Sequence, residues 1–317
     1  MSLSFKILIV DQVHPALMEM LASKGIAYEY CPNLGRPEVE AAISGFQGLV
    51  IRSKFKVDGA FLQKARHLRL IGRAGAGLDT IDMEAATSHG IQVVHAAEGN
   101  ADAVGEHTIG LLLMLLNKLA MADQSVRAGH WDREAFRGIE LNGKTVGLLG
   151  YGNMGTAVAK RLQSFGCTVI AYDKYLEVFP TPFAQKVTLD ELKLESQILS
   201  LHIPLTEETR QWVNYEFLSS FQKLDFFINT SRGEIVPIED LLTLLETGFL
   251  KGAALDVLPD EPPTTIDKKL SSKYETLFRR PDVILSPHVA GWSLESYEKI
   301  SCVLGNRLIY HIGQLKN

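Results

Sequence analysis

The sequence predicts an α/β chain made of two doubly wound parallel-sheet units, and three observations carry that prediction. Short runs of Val, Ile and Leu, apolar on both faces rather than alternating, are interleaved with amphipathic helical stretches. The alternation begins near the N-terminus and restarts at Thr145. The length, 317 residues, exceeds what one hydrophobic core usually holds.

In the first unit, "KILIV" (6–10), "GLVI" (48–51), "LRLIG" (68–72) and "IQVV" (91–94) read as buried strands, with "HPALMEMLASKG" (14–25) and "DGAFLQKA" (58–65) as helices between them. One long helix is expected over 101–127. The second unit then offers strands at 145–149, 168–172, 198–201, 226–229, 253–255 and 283–285. Its helix "PIEDLLTLLETG" has Pro237 at the start and Gly248 at the end, the usual punctuation. A last helix, 293–315, is expected to pack back on the first unit.

Composition excludes several functions. Both signs of charge are interspersed and the formal net charge is only −5, which argues against a nucleic-acid or anionic-membrane surface. Cys31, Cys167 and Cys302 are odd in number and far apart, which predicts a reducing compartment and no metal cage. "MSLSFKILIVD" lacks the basic start and long apolar run of a secretion signal, and "IGLLLMLL" (109–116) is too short to span a bilayer. A cytoplasmic protein is the expectation.

The most informative segment is "TVGLLGYGNMG" (145–155). Gly150 permits a tight turn, Gly152 lets the backbone approach a pyrophosphate, and Gly155 lets the next helix pack close to the strand. The phosphates would rest on the helix N-terminus. A following strand ends in Asp173, about 20 residues further on, where a carboxylate would bind ribose hydroxyls and repel a 2′-phosphate. Only Lys174 nearby could compensate, so NAD is predicted over NADP.

Three polar residues follow apolar strands of the second unit: Arg232 in "FFINTSRGEIV", Glu261 in "AALDVLPDEPP" and His288 in "VILSPHVAGW". Singly, each has a plain alternative as a solvated loop cation, a turn residue and a helix cap. Together they are the set that reduces a 2-keto acid by hydride. The arginine binds the carboxylate and polarises the carbonyl, the histidine supplies the proton, and the carboxylate holds the imidazolium. Ligands in open parallel sheets bind beyond the carboxyl ends of the strands, where all three fall.

At these residues the sequence resembles the D-isomer-specific 2-hydroxyacid dehydrogenases. "LLGYGNMG", "HIPLTEETR" (202–210), "INTSRGEIV", "ALDVLPDEP" and "SPHVAGWS" match that family's motifs in order, as do "GRAGAGLDTID" (72–82) and "GNADAVGEH" (99–107). The resemblance implies a Rossmann-like NAD-binding domain, 101–287, inserted into a flavodoxin-like substrate domain, 1–100 plus 288–317, with the active site in the cleft between them. It implies Arg232, Glu261 and His288 as the catalytic set. For the cofactor it adds Asn153, Met154, His202, Pro204, Thr209, Thr230, Ser231, Asp256 and Gly291 to the glycines and Asp173, with Arg232 and His288 also in contact. For the substrate it implies Arg52, Ser53, Ala74, Gly75, Ala76 and Arg232. A homodimer through the cofactor domain is implied as well.

Within the family the match is closest to phosphoglycerate dehydrogenases, so 3-phosphoglycerate and 3-phosphohydroxypyruvate are the first expectation, with Arg52, Lys54, Arg73, Arg133 and Arg137 as cations for a phosphate. Three departures stand out. The sequence ends at Asn317, so the C-terminal serine-sensing domain of many such enzymes, and its feedback, are expected to be missing. Phe55 stands where a small polar residue is common, and could reshape the substrate pocket. The Glu261–His288 spacing is long, with the extra residues 264–280 expected to form a lid or a surface excursion. Glyoxylate or hydroxypyruvate reduction, and an NADH-responsive corepressor-like binding protein, are the alternatives.

Overall fold

The computed structural model describes residues 5–263 and 272–316. Internal contacts divide the chain into two units, Met1–Ala101 with Trp292–Asn317, and Asp102–Gly291.

In the first unit, β1 (Lys6–Ile9), α1 (Pro15–Ser23), β2 (Ala27–Tyr30), α2 (Arg36–Ala42), β3 (Gly48–Ile51), α3 (Gly59–Lys64), β4 (Leu70–Arg73), α4 (Met83–Ser88) and β5 (Gln92–His95) alternate. The strands are all parallel in the order β2-β1-β3-β4-β5, the flavodoxin-like arrangement. Strand β3 is buried at every position, as its unbroken apolar run requires. Helix α1 starts with Pro15 behind a His14 side-chain cap, and stops before Gly25 at φ +63°. Strand β2 was not anticipated: its sequence, AYEY, lies at the sheet edge with three of four residues exposed, so no apolar run marks it.

The second unit contains α5 (Ala101–Leu116), α6 (Leu119–Arg127), β6 (Thr145–Leu149), α7 (Asn153–Leu162), β7 (Thr168–Tyr172), β8 (Gln185–Lys186), α8 (Leu189–Glu195), β9 (Ile198–Leu201), α9 (Tyr215–Ser219), β10 (Phe226–Asn229), α10 (Ile238–Glu246), β11 (Gly252–Leu255), α11 (Ser272–Phe278) and β12 (Val283–Leu285). Its parallel sheet runs β12-β11-β10-β9-β6-β7-β8. The order reverses between β6 and β9, which makes the ends of those two strands the topological switch point. The chain closes with α12 (Leu294–Lys316), whose Ile300, Leu304, Leu308 and Ile312 join Ile7, Leu17, Leu21 and Leu70 in one buried cluster of the first unit.

Three expectations change. The long helix over 101–127 is two helices, because Lys118 adopts a left-handed conformation (φ 52°) and turns the chain by 62°. Residues 288–291, expected with the last helix, belong to the second unit, because Asp256 ties their backbone to β11. Of the supposed lid or excursion, 264–271 lie outside the described residues, and the part that is described is neither. Helix α11 buries Leu277 fully and Tyr274 to 1% exposure in the core under α10. Burial pushes the Tyr274 phenol pKa upward, and its hydroxyl donates to Asp260 at 3.0 Å. Among the described residues no single helix is long and apolar enough to cross a membrane.

Candidate active site

The glycine turn sits at the switch point, where β6 ends. Gly150 has φ +98°, and a Cβ there would lie 2.5 Å from the carbonyl oxygen of His202. A Cβ on Gly155 would lie 2.2 Å from the Gly150 oxygen. Both glycines are thus demanded by the fold. Gly152 is different: its φ is an ordinary −74° and nothing lies within 4 Å of a Cβ built on it. Neither strain nor packing explains a glycine there, whereas close approach of a ligand does. Gly152 also caps α7 without a side-chain hydrogen bond, so the N–H groups of the first turn, from Asn153 and Met154 onward, face outward for an anion.

Asp173, at the end of β7, holds this turn from the side. Its Oδ2 accepts from Tyr151 N at 2.8 Å, and its Oδ1 accepts from Tyr175 N and Leu176 N at 2.9 and 3.2 Å. An open, shallow cavity of about 540 Å³, lined by Tyr172, Asp173, Leu176, Thr188 and Leu189, lies beside the carboxylate. Lys174, the one cation expected to offset a 2′-phosphate, is ion-paired with Glu208. The donor set fits a dinucleotide with a free ribose.

On the other side of the switch point, His202 follows β9 with its backbone N–H bonded to Leu149 O at 2.7 Å. Its Nε2 meets Ser200 Oγ at 2.9 Å, while its enclosed Nδ1 has no hydrogen-bond partner among the described residues. Burial pushes the imidazole pKa down to about 3, so the ring is neutral at any physiological pH. Thr209, expected at the cofactor, lies in the turn after Pro204, whose carbonyl accepts its hydroxyl at 2.7 Å.

The three catalytic candidates follow adjacent strands that end level, with Asn229, Leu255 and Leu285 in register. After β10, Asn229 is 1% exposed; its Oδ1 accepts from Ser231 N and its Nδ2 donates to Arg232 O, which closes the arginine loop. Ser231 Oγ donates to Leu201 O at 2.7 Å. Arg232 donates through Nη1 to the Ser231 carbonyl. A Cβ on Gly233 would come within 1.9 Å of the Leu258 backbone. The glycine is what lets the loop carrying Glu261 lie against the loop carrying Arg232.

Glu261 Oε1 accepts from Leu258 N at 2.9 Å, and Oε2 meets His288 Nδ1 at 2.6 Å. An ionised carboxylate only accepts, so the histidine carries its hydrogen on Nδ1, and Nε2 is the nitrogen left for another partner. His288 sits at φ +55°, a left-handed conformation uncommon for any residue but glycine. Asp256 holds it there. The Asp256 carbonyl accepts from His288 N at 2.7 Å, and its carboxylate accepts from Ser286 Oγ, Val289 N and Ala290 N. Burial pushes the Asp256 pKa up, but donors from His107, Ser286, Ala290 and Val289 outweigh it and hold the group below the usual carboxylate range. Asp256, expected along the nicotinamide, is 2% exposed and its carboxylate is held by the loop of residues 286–290.

The first unit's candidates also occupy strand ends. Ser53 and Arg52 follow β3, where the N–H groups of Arg52, Ser53 and Lys54 all point at Asp11 Oδ2, at 2.6, 3.1 and 3.3 Å. The Arg52 guanidinium lies 3.7 Å over the Trp292 ring, and its side chain has no hydrogen-bond or carboxylate partner among the described residues. Burial lowers its pKa while Asp11 and Tyr297 raise it. Ala74, Gly75 and Ala76 follow β4; a Cβ on Gly75 would collide with the Arg73 guanidinium. Lys54 does not present itself as a phosphate cation, since its ammonium donates to the carbonyls of Pro32 and Leu34. Arg133 is exposed, and Arg137 is exposed and paired with Glu134. Phe55, expected to reshape the substrate pocket, is partly buried and packs on Phe61 against the core of this unit.

Sequence reasoning assigned no role to Asp11, His107, Thr108, Ser286 or Trp292. Asp11 carried one usable signal, a carboxylate directly after an apolar strand. His107 bonds a residue 179 positions away, which no spacing reveals.

Comparison with known proteins agrees with this geometry. Residues 109–290 match the model of the D-isomer specific 2-hydroxyacid dehydrogenase NAD binding domain. The chain is 37% identical over 297 residues to a D-3-phosphoglycerate dehydrogenase of Methanocaldococcus jannaschii, covering 93% of this chain and 55% of that protein, so it spans about half of that relative. It is 33% identical to a hydroxypyruvate reductase of Thermotoga maritima, covering 98% of this chain and 99% of that one. The crystal structure of the PH0520 protein from Pyrococcus horikoshii superposes with a TM-score of 0.83 at 30% identity, covering 96% of this chain and 91% of that one. With the glycine turn, the strand-end histidine–glutamate pair and these matches together, the chain belongs to the D-isomer-specific 2-hydroxyacid dehydrogenase family and carries its NAD-binding domain.

Proposed function

We propose that this protein is an NAD(H)-dependent oxidoreductase that interconverts a D-2-hydroxy acid and its 2-keto acid, with the second unit binding cofactor and the first binding substrate. The single observation that carries the reading is the 2.6 Å contact between His288 Nδ1 and Glu261 Oε2. The first turn of α7 and Asp173 would hold NAD(H), which when bound would supply the hydride chemistry at the keto carbon. His288 Nε2 gives its proton to the carbonyl oxygen as charge develops there, and in the oxidation direction takes it back. Glu261, itself steadied by Leu258 N–H, fixes the tautomer and stabilises the imidazolium. Arg232 binds the substrate carboxylate and polarises the adjacent carbonyl.

The proposed substrate pair is 3-phosphoglycerate and 3-phosphohydroxypyruvate. Supporting it are the 37% identity to a phosphoglycerate dehydrogenase and the Arg52 guanidinium, whose donors suit a phosphate on the substrate tail. Hydroxypyruvate and glyoxylate are the second reading, favoured by the 33% identity to a hydroxypyruvate reductase of matching length. A homodimer through the second unit is proposed from α6, which buries no residue and carries Leu119 and Val126, and from Trp131 beyond its end, all three at least half exposed.

Steady-state NADH oxidation on phosphohydroxypyruvate, hydroxypyruvate, glyoxylate and pyruvate tests the reading. Turnover is expected, fastest on phosphohydroxypyruvate, with Arg52→Met raising its KM on the order of tenfold and that of glyoxylate far less. Fastest turnover on hydroxypyruvate or glyoxylate selects the second reading. Tight NADH binding without turnover on any keto acid contradicts the enzyme reading and favours a binding protein.

A further inference from the structure

We infer that one step of α5, His107 with Thr108, is the positioning element for both the histidine loop and the arginine loop. The inference rests on His288 and Arg232 having the roles proposed above. His107 Nε2 lies 2.9 Å from Ser286 Oγ and 3.5 Å from Asp256 Oδ1. The Ser286 hydroxyl directs its one hydrogen to Asp256 Oδ1 at 2.5 Å. Its remaining valence toward His107 is a lone pair, so His107 donates and carries its hydrogen on Nε2. From the Asp256 carboxylate the hydrogen bonds continue to the N–H groups of Val289 and Ala290, while the backbone carbonyl of the same residue accepts from His288 N–H. The chain of bonds thus runs from a partly exposed helix side chain to the backbone of the two residues that follow His288, and the residue at its centre, Asp256, also holds the N–H of the residue that must stay left-handed.

The next residue on the helix repeats the arrangement. Thr108 is 1% exposed and donates its hydrogen to Val104 O at 2.7 Å. Its contact with Thr230 Oγ1 at 3.1 Å is therefore one in which Thr230 donates. Thr230 opens the loop that Asn229 and Ser231 close around Arg232. Consecutive helix residues thus reach the loops after β10, β11 and β12. Packing alone does not require them there, because Leu111, Leu112, Leu115 and Leu116, each below 8% exposed, already seat α5 in the core. A left-handed non-glycine residue persists only where its surroundings over-determine it, and this network does so.

The test uses the full chain with His107→Leu, His107→Gln, Ser286→Ala and Thr108→Val. His107→Leu is expected to lower kcat on the order of tenfold, with the KM for the best keto acid and the NADH affinity within about twofold of wild type. His107→Gln, whose amide N–H can reach the same serine oxygen, should recover most of that loss. In cofactor-free protein labelled with ¹⁵N-histidine, the ring-nitrogen signals of His288 should shift in His107→Leu and stay in place in His107→Gln. Thr108→Val should raise the keto-acid KM. Should His107→Leu fail to fold, Ser286→Ala cuts the same chain with a smaller truncation and should reproduce both changes. Wild-type kcat with unmoved His288 signals in His107→Leu or Ser286→Ala overturns the inference, as does a His107→Gln no better than His107→Leu. Full turnover in His288→Ala would instead refute the proton-donor reading, and the cofactor-free spectra would still decide the coupling.

Discussion

Two aspartates, one in each unit, do the same job to different depths. Asp11 follows β1 and gathers three backbone N–H groups from the loop after the neighbouring strand. Asp256 follows β11 and gathers two N–H groups and a serine hydroxyl from the loop after its own neighbour. Asp11 is partly buried, and among the described residues its carboxylate accepts hydrogen bonds only from that loop. Asp256 is 2% exposed and is backed by His107. The difference follows the loops they hold. Residues 52–54 need only a fixed backbone path, whereas 286–290 must keep a side chain in a conformation it would otherwise leave. A buried, fully hydrogen-bonded carboxylate is stiffer than an exposed one because no water competes for its donors.

The largest expected effect is on the side chain that the deeper clamp presents. His288→Ala should lower turnover by about 10²–10⁴ while leaving the NADH dissociation constant, read by fluorescence titration, nearly unchanged. Undiminished turnover would leave the depth of the Asp256 clamp without a purpose. Next is Asp256→Asn, which removes the charge and sets an amide among N–H donors. It should cost about 2–4 kcal/mol in urea unfolding. A midpoint equal to wild type would erase the contrast between the aspartates.

A smaller effect belongs to His202, a strand-end residue that clamps nothing. Its folded pKa, about 3, lies below the unfolded value, so the folded protein binds fewer protons. Its stabilisation is complete above about pH 6.5 and declines by about 1.4 kcal/mol per pH unit as pH falls toward 3. Between pH 7 and 5 the wild type should lose about 2 kcal/mol from this group, and His202→Gln should flatten that slope. Asp256 does not confuse the measurement. Its depressed pKa means its contribution is kept above the ordinary aspartate value and lost only at more acid pH. Equal slopes in both proteins would mean His202 is not buried neutral. The smallest effect is Asp11→Asn, about 1 kcal/mol with kcat intact. A cost as large as that of Asp256→Asn would show that burial depth is not what separates the two.

The fold and the catalytic trio were legible because parallel strands buried on both faces write themselves as apolar runs, and Arg232, Glu261 and His288 each come just after one. Edge strands β2 and β8 carry no such run and left no trace. The break at Lys118 was illegible for another reason: no glycine or proline marks it, and the residue that turns left-handed is an exposed lysine. Gly152 could be read as a ligand glycine from its motif, but only the coordinates separate it from Gly150 and Gly155, which the fold itself demands. The clamps were hidden because their partners are brought together by the sheet. Asp256 was legible as a strand-end acid, yet its job depended on residues about 30 positions later turning back on it.

The central claim is that Asp256 acts on the reaction through the loop of His288, and a double-mutant cycle on kcat tests it most directly. Asp256→Asn should cost on the order of tenfold in the wild-type background and close to nothing when His288 is already alanine, a coupling of about 1.4 kcal/mol. Equal losses in the two backgrounds would mean that the carboxylate works on the chemistry by another route, and would contradict the account.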